Sequence, residues 1–239
     1  MIKKAMIFSA GLGTRFKPWT EKHPKALAIV NGKTLLQRNI EYLQQYGINE
    51  IVINIHHFAE QVYKAVSDNN GWGANIFFSD ETNELLETGG GLLHARKLLE
   101  GEKFVTLNVD FLTNLNLTNI FEYHNNSKSL VTIAVTKRKS SRYLLFDDND
   151  YLCGWRNKNT NEEIISFHSE SLSEKAFSCV TVYEPEIFDC IKQRGKFSIT
   201  ETFLDLAKNK LIKGFDHTGD KLIDVGKPES VIIAENLFA

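Results

Sequence analysis

Residues suited to binding a phosphate group cluster near the start of the chain. Gly11 and Gly13 follow a short apolar run that predicts a buried strand, and Thr14, Arg15 and Lys25 come next. Glycine has no Cβ, so backbone N–H groups at these positions can approach a phosphate closely. A hydroxyl, a forked guanidinium and an ammonium group all bind phosphate oxygens. The stretch therefore predicts a phosphate-binding loop at the end of the first strand, where ligands bind in open α/β sheets.

Two better-known glycine motifs do not fit this loop. A dinucleotide-binding fingerprint needs a third glycine where Phe16 stands and a helix directly afterwards, whereas Pro18 and Pro24 indicate an extended loop. A P-loop needs Gly-Lys followed by Ser or Thr, and the chain has Gly-Thr-Arg instead. A tight turn that needs glycine only for its backbone geometry would explain the glycines. It would not explain Arg15 and Lys25, so phosphate binding is the preferred interpretation.

A second glycine-rich stretch begins a predicted helix. Gly89, Gly90 and Gly91 follow Thr88 there. Glycines at the start of a helix lower its stability, because each has more conformational freedom to lose than another residue has. We interpret them as positions where a flat base or a sugar contacts the backbone. The alternative is a glycine-rich helix start without a ligand.

Asp110 is a candidate metal ligand. It follows a strand predicted over residues 104–109, so it lies at the same edge of the sheet as the phosphate-binding loop. The two-residue repeat of a strand puts Asn108 and Asp110 on one side. Magnesium prefers one or two carboxylates together with phosphate oxygens and water. Asp110 therefore predicts the beginning of a magnesium site.

Alternating strands and helices must position these groups. The spacing of apolar residues predicts this alternation through the first half, which indicates a doubly wound, mostly parallel, Rossmann-like α/β sheet with right-handed crossovers. The predicted strands of this half are residues 5–8, 50–55, 74–78 and 104–109, and the predicted helices are residues 34–46, 60–67, 90–99 and 117–124.

The second half predicts a smaller, β-rich portion on the sugar side of the cleft. A basic run over residues 137–142 is interpreted mostly as solvated surface, and Arg142 alone is kept as a candidate phosphate contact. Turn residues at 147–150 indicate a hairpin. The predicted strands are residues 130–135, 143–146, 151–155 and 178–183, and the predicted helices are residues 185–192, 199–208 and 229–236.

The phosphate-binding loop resembles the signature of the sugar-1-phosphate nucleotidyltransferases, Gly-x-Gly-Thr-Arg-x-x-Pro-x-Thr-x-x-x-Pro-Lys. The resemblance continues at residues 86–91, which look most like the N-acetylmuramate-1-phosphate uridylyltransferases and the nearby mannose-1-phosphate and heptose-1-phosphate guanylyltransferases. It also includes residues 224–228, which resemble the closing Asp-Val-Gly-Thr-Pro motif of the family. The residues that match the loop signature are Gly11, Gly13, Thr14, Arg15, Pro18, Thr20, Pro24 and Lys25.

The sequence departs from the family pattern at three positions. Val109 and Cys179 stand where the family usually or often has glycine, and Lys227 stands where it has threonine. Val109 affects the local backbone fit more than it affects metal binding. Cys179 implies a different shape of the acceptor pocket.

The resemblance implies a glycosyltransferase-A-like fold and a magnesium-dependent transfer. In that reaction Arg15 stabilises the leaving pyrophosphate, and Lys25 lies against the α-phosphate and the incoming sugar phosphate. Asp110 and Asp224 hold magnesium, and Arg15, Lys25 and Asp110 form the catalytic set. The implied nucleotide-binding residues are Ala10, Gly11, Leu12, Gly13, Thr14, Arg15, Lys25, Thr88 and Gly89, and the implied substrate-binding residues are Asn108, Gly90 and Arg142.

Three functions agree with this resemblance. The favoured one joins UTP to N-acetylmuramate 1-phosphate and releases pyrophosphate. A mannose-1-phosphate or heptose-1-phosphate guanylyltransferase is the alternative within the family. A nucleotide-sugar-binding module without catalysis is the alternative of another class, and the presence of both aspartates argues against it, because binding alone does not need two metal carboxylates.

Length and composition set the remaining expectations. The 239 residues, with 42% hydrophobic and 24% charged residues, are typical of one globular domain over residues 1–239. Its nucleotide-binding half ends at about residue 125 and its sugar-binding half covers about 126–239. A net charge of −2 predicts no general attraction to nucleic acid or to an anionic membrane. Three cysteines without paired spacing and no signal-like segment predict a cytoplasmic protein, expected as a monomer or weak dimer.

Overall fold

The computed structural model describes residues 2–238 and has a mixed α/β fold. The strands, in chain order, are β1 (Lys4–Phe8), β2 (Ile29–Val30), β3 (Lys33–Thr34), β4 (Glu50–Ile55), β5 (Asn75–Asp80), β6 (Phe104–Asn108), β7 (Phe111–Thr113), β8 (Val131–Thr136), β9 (Arg142–Phe146), β10 (Leu152–Asn157), β11 (Glu162–Ile165), β12 (Ser173–Tyr183), β13 (Ile212–Asp216) and β14 (Leu222–Asp224).

The α-helices lie between these strands and after the last of them. In chain order they are α1 (Leu35–Gln44), α2 (Ala59–Asp68), α3 (Glu87–His94), α4 (Arg96–Leu99), α5 (Leu117–Ser127), α6 (Ile187–Cys190), α7 (Ile199–Leu206) and α8 (Glu229–Leu237). Among the described residues, no helix is long and apolar enough to cross a membrane.

One ten-stranded sheet organises the molecule. Strands β6, β1, β4 and β5 are neighbours in that order and all pair in parallel, which confirms the predicted doubly wound, mostly parallel sheet in the first half. Strand β12 pairs antiparallel with β6, so a strand of the second half extends the sheet of the first. The other pairings of the second half are antiparallel, except that β13 runs parallel to β8. Two small ribbons, β2 with β3 and β7 with β14, lie off the main sheet.

The two faces of the sheet are buried in separate apolar clusters. Along β1, Ala5 and Ile7 pack into the cluster that includes residues of α1, α2, α5 and α8, whereas Met6 and Phe8 pack into the cluster of α3, α4, α6 and α7. Successive side chains of a strand point to opposite faces, so a strand covered on both sides needs apolar residues throughout. This explains the unbroken apolar run from which the strand was predicted.

Most predicted elements are present, with shifted ends. The strand over residues 50–55 matches β4 residue for residue. Helix α1 begins after Thr34, whose hydroxyl accepts a hydrogen bond from the Gln37 N–H, and ends shortly before Gly47, whose φ of 75° favours glycine. The helix predicted over residues 185–192 is reduced to the four residues of α6. Strands β2, β3, β7, β11, β13 and β14 were not predicted.

Candidate active site

A cavity of about 360 Å³ opens at the carboxyl ends of the parallel strands. The segment after β1, the residues after β6 and the start of α3 form its walls, which is the predicted location for a ligand in an open α/β sheet. Of the residues named from the sequence, those that line it are Ala10, Gly11, Gly13, Thr14, Arg15, Lys25, Thr88, Asn108 and Asp110.

Hydrogen bonds to the end of β4 hold the start of the phosphate-binding loop. The Ser9 N–H donates to the Asn54 side-chain oxygen at 2.7 Å, and the Ser9 hydroxyl donates to the Asn54 carbonyl at the same distance. The Asn54 amide donates in turn to a carboxylate oxygen of Glu81 at 2.7 Å. Burial raises the pKa of the Glu81 carboxyl above its ordinary value. Asn54 and Glu81 line the cavity, and the sequence analysis did not name them.

The two loop glycines are needed for different reasons. Gly13 has a φ of 58°, and a Cβ there would stand 2.8 Å from the Thr20 methyl group and 3.2 Å from the Lys25 Cβ. Its backbone conformation and its close neighbours therefore both require glycine. A Cβ on Gly11 would meet no atom within 4 Å. Gly11 thus leaves open space beside the backbone at the cavity wall.

Lys25 and Asp110 form the closest ion pair of this region. The Lys25 ammonium lies 2.5 Å from a carboxylate oxygen of Asp110, and the side chains are 9% and 20% exposed. Lys25 reaches this position from a short 3₁₀ turn, Lys25–Leu27, on which it is buried. Because the pair is largely shielded from water, each charge depends on the other.

Asp224 reaches the site through the ribbon of β7 and β14. Asp224 pairs with Phe111 in this ribbon, and the Val225 N–H donates to the Asp110 carbonyl at 2.8 Å. The two aspartates therefore lie beside each other although 114 positions separate them. Arg15 approaches from the loop side, with its guanidinium 3.9 Å from an Asp224 oxygen.

The environment of Asp224 suits a bound cation. Burial raises the pKa of its carboxyl above the ordinary value, and the Asp110 carboxylate raises it further, against the opposing effects of Lys25 and Arg15. Its Oδ1 atom is buried and has no hydrogen-bond partner within the described part of the chain. A Cβ on Gly226 would stand 2.6 Å from this oxygen. Glycine at position 226 therefore keeps the space beside the carboxylate free.

The donor set fits magnesium. Two neighbouring carboxylates, one with an unsatisfied buried oxygen, match the preference of this ion for few protein ligands and several phosphate or water oxygens. Among residues 2–238 there is no group of three or more histidine, cysteine or acidic residues that would form a complete cage. Asp110 and Asp224 are thus the residues that would hold the ion, with substrate phosphates completing its shell.

The glycines of residues 89–91 have a packing role that the sequence analysis did not foresee. Helix α3 begins at Glu87, three residues earlier than predicted, so the glycines lie inside its first turns. The N–H groups of Gly89 and Gly90 donate to the Phe197 carbonyl at 2.9 and 3.2 Å, and a Cβ on Gly90 would stand 2.3 Å from the Gly195 carbonyl oxygen. The segment before α7 therefore requires glycine here, and these two residues do not line the cavity.

Three further predicted residues lie outside the cavity lining. Leu12 is an exposed apolar residue at the loop, with 44% of its surface accessible. The Asp224 carboxylate lies against Gly226, and Gly226 lines the cavity. Arg142 is exposed at the start of β9 and pairs with Asn157 of β10, so its selection from the basic run is not supported by its position.

Arg138 is the residue of the basic run that packs beside Phe111, the chain neighbour of Asp110. It is half-buried, and its guanidinium donates to the Phe177 carbonyl at 3.0 Å. The positive charge of the Arg138 guanidinium lowers the pKa of the Asp224 carboxyl. The sequence analysis treated Arg138 as surface, because a run of charges does not reveal which member faces inward.

Val109 and Cys179, two of the departures from the family pattern, lie in different surroundings. Val109 is buried in the apolar cluster of α1 and α2, and its carbonyl accepts from the Asn39 side chain at 2.9 Å. Cys179 has a φ of 59° inside β12, where the pairing of this strand with β8 shifts its register. Burial raises the pKa of the Cys179 thiol well above its ordinary value. A left-handed backbone at this position agrees with the glycine that the family often has there.

A family model described as "Nucleotidyl transferase" matches residues 4–239, and the chain belongs to this family. An N-acetylmuramate alpha-1-phosphate uridylyltransferase of Neisseria meningitidis serogroup B is 31% identical over 230 residues, which are 93% of each chain. The mannose-1-phosphate guanylyltransferase catalytic subunit beta of Drosophila melanogaster is 27% identical over 98% of this chain and 62% of its own length. The crystal structure of HddC from Yersinia pseudotuberculosis has a TM-score of 0.78 at 24% identity and full coverage of both chains, and so shares the fold.

Proposed function

We propose that the protein joins a nucleoside triphosphate to a sugar 1-phosphate and releases pyrophosphate. One observation carries the proposal. The β7 and β14 ribbon brings Asp224 beside Asp110, Asp110 pairs with Lys25 and Asp224 with Arg15, and Asp110 and both cations line the cavity. Membership of the nucleotidyl transferase family and the names of the relatives support it.

The reaction needs alignment of two anions more than it needs a protein nucleophile. An oxygen of the sugar phosphate attacks the α-phosphorus, a new P–O bond forms, and the bond to the leaving pyrophosphate breaks. Lys25 would neutralise charge on the α-phosphate and the acceptor phosphate, and Arg15 would bind the leaving pyrophosphate. Magnesium bound to Asp110 and Asp224 would screen the repulsion between these phosphates and polarise them.

The loop and helix α3 would hold the nucleotide. Open space beside Gly11 would let the backbone approach the triphosphate, and Thr88, which lines the cavity, would contact the nucleotide. The Thr88 hydroxyl accepts a hydrogen bond from the Ile199 N–H at 3.0 Å, which fixes its side chain. Asn108 at the end of β6 would contact the sugar phosphate.

UTP and N-acetylmuramate 1-phosphate are the proposed substrates. The relative with 93% mutual coverage is named for this reaction, and residues 86–91 resemble the same group. The Drosophila relative supports the alternative, GTP with mannose 1-phosphate. A site that hydrogen-bonds one base edge discriminates strongly against another base, because its buried polar groups would lose their partners. We therefore propose a clear preference for one triphosphate. A cytoplasmic location and a monomer or weak dimer remain predictions.

Pyrophosphate release from a panel of substrates tests this choice. UTP, GTP, CTP and dTTP are each combined with N-acetylmuramate 1-phosphate, mannose 1-phosphate and glucose 1-phosphate at fixed magnesium. We expect the fastest release with UTP and N-acetylmuramate 1-phosphate. Faster release with GTP and mannose 1-phosphate would overturn the substrate assignment and support the guanylyltransferase. Nucleotide binding without release from any pair would support the non-catalytic module.

Arg15→Lys tests the forked contact that we assign to Arg15. The variant keeps the charge but loses the paired donors, and Arg15 is 62% exposed, so the fold should not change. We expect pyrophosphate release to fall by about 10²-fold, the loss typical of removing one donor to a charge that develops in the reaction. Lys17→Arg, at an exposed neighbour, is the matched control. A variant rate equal to the parent rate would mean that Arg15 acts only as a general cation.

A further inference from the structure

Arg138 is a half-buried cation without an ion-pair partner among the residues that the structure describes. Its Nη2 group donates to the Phe177 carbonyl at 3.0 Å, and its guanidinium carbon lies 5.8 Å from the centre of the Phe111 ring. Its Nε atom is buried and has no hydrogen-bond partner in residues 2–238. Within residues 2–238, Arg138 forms no ion pair, whereas Arg15 and Lys25 each have an aspartate.

Both contacts of Arg138 lie next to the proposed reaction centre. Phe111 directly follows Asp110 and pairs with Asp224 in the ribbon. Phe177 lies on β12 two residues before Cys179, at the register shift of that strand. The guanidinium also acts electrostatically on Asp224 and on the Cys179 thiol. Arg138 therefore enters from the β-rich half, whereas Arg15 and Lys25 come from the phosphate-binding loop.

A second phosphate group at this site needs a cation besides Lys25 and Arg15. Lys25 and Arg15 are both close to carboxylates, and a triphosphate would occupy the loop from which they come. A sugar 1-phosphate adds a further anion, a phosphate monoester, beside the triphosphate. A half-buried guanidinium without a counter-charge is costly, and a phosphate that accepts its free N–H groups would offset this cost. The ring of Phe111 and the Phe177 carbonyl hold the guanidinium in place, so little further ordering is needed.

We infer that Arg138 binds the phosphate of the acceptor sugar 1-phosphate. The inference rests on the proposed function for the nature of the acceptor. In this arrangement a phosphate monoester contacts Arg138 from the side of the β-rich half, and the triphosphate does not contact Arg138.

Calorimetric titrations of three variants test this inference. Arg138→Gln removes the charge, Arg138→Lys keeps it without the fork, and Lys139→Gln alters an exposed neighbour as the matched control. Each protein is first titrated with the α,β-methylene analogues of UTP and GTP in magnesium. The protein saturated with the tighter analogue is then titrated with N-acetylmuramate 1-phosphate, mannose 1-phosphate and glucose 1-phosphate. Thermal unfolding by circular dichroism checks that each variant is folded.

We expect Arg138→Gln to weaken binding of the preferred sugar 1-phosphate by about 10- to 100-fold, the range for a hydrogen bond to a charged group. Analogue binding should change less than about twofold, because a solely structural role would weaken both ligands together. Arg138→Lys should recover part of the loss, and Lys139→Gln should match the parent.

Three results would overturn the inference. The first is unchanged sugar 1-phosphate binding in Arg138→Gln, and the second is a parent protein that binds none of the three sugar phosphates. The third is a loss of analogue affinity as large as the loss for the sugar phosphate, which would assign Arg138 to the triphosphate or to the fold. Failure of the proposed function gives another result: the parent binds both ligands but releases no pyrophosphate from the natural substrates.

Discussion

Asp110→Asn should reduce pyrophosphate release by at least about 10³-fold, because it removes a charged ligand from the proposed magnesium site and keeps the shape of the side chain. The neutral amide also leaves the buried Lys25 ammonium without its counter-charge. We therefore expect the free energy of unfolding to fall by about 1 to 3 kcal/mol, with the protein still folded at room temperature. Initial rates over a range of magnesium concentrations and circular dichroism provide both measurements.

The control for this variant is Asp68→Asn on α2. Asp68 is 56% exposed and pairs with Lys64 one helical turn away, a contact that contributes little. Its rate should equal that of the parent. Asp224→Asn should resemble Asp110→Asn in rate, since the two carboxylates act on the same ion. Unimpaired turnover of Asp110→Asn at limiting magnesium would contradict the metal assignment.

Lys25→Met should change the rate of pyrophosphate release and the affinity for magnesium in opposite directions. We expect pyrophosphate release to fall by about 10²- to 10³-fold, because a cation beside the α-phosphate is lost. In the absence of nucleotide, magnesium should bind roughly 10-fold tighter or more, because Lys25 no longer neutralises the Asp110 oxygen that it contacts at 2.5 Å. Calorimetric titration with magnesium chloride measures this effect independently of turnover.

The opposite signs make this experiment informative. Lys22→Met, at an exposed lysine of the same segment, should leave both quantities unchanged. Weaker magnesium binding in Lys25→Met would mean that Lys25 does not compete with the ion for Asp110. In the unmodified protein, the ion pair predicts that magnesium binds better together with the triphosphate, which offers Lys25 another anion.

The parts of the site that follow local sequence rules were predictable. The loop around Gly11 and Gly13 follows a buried strand, and Asp110 comes two residues after the end of another strand of the same parallel sheet, so the common sheet edge follows from topology. Lys25 also reaches this edge, as predicted, although its pairing with Asp110 was not foreseen. These positions depend on contacts between elements whose type the apolar pattern indicates.

Other features depend on contacts between distant segments. The ribbon that places Asp224 beside Asp110 has only three residues in each strand, too few for a periodic signal. Gly90 must be glycine because of the Gly195 carbonyl, which lies more than a hundred positions away. Arg138 and Arg142 are indistinguishable as letters in one basic run, and only the Phe177 carbonyl and the Phe111 ring select Arg138.

Phosphorus-31 NMR of a single reaction mixture tests the central claim, nucleotidyl transfer to a sugar 1-phosphate, most directly. The mixture contains the protein, magnesium, UTP and N-acetylmuramate 1-phosphate, with parallel samples for GTP and mannose 1-phosphate. The account predicts that, in at least one sample, the sugar 1-phosphate signal is replaced by the two coupled signals of a sugar diphosphate ester, with one pyrophosphate formed for each sugar phosphate consumed. Release of orthophosphate from the triphosphate with the sugar 1-phosphate signal unchanged, or no reaction in any sample, would contradict it.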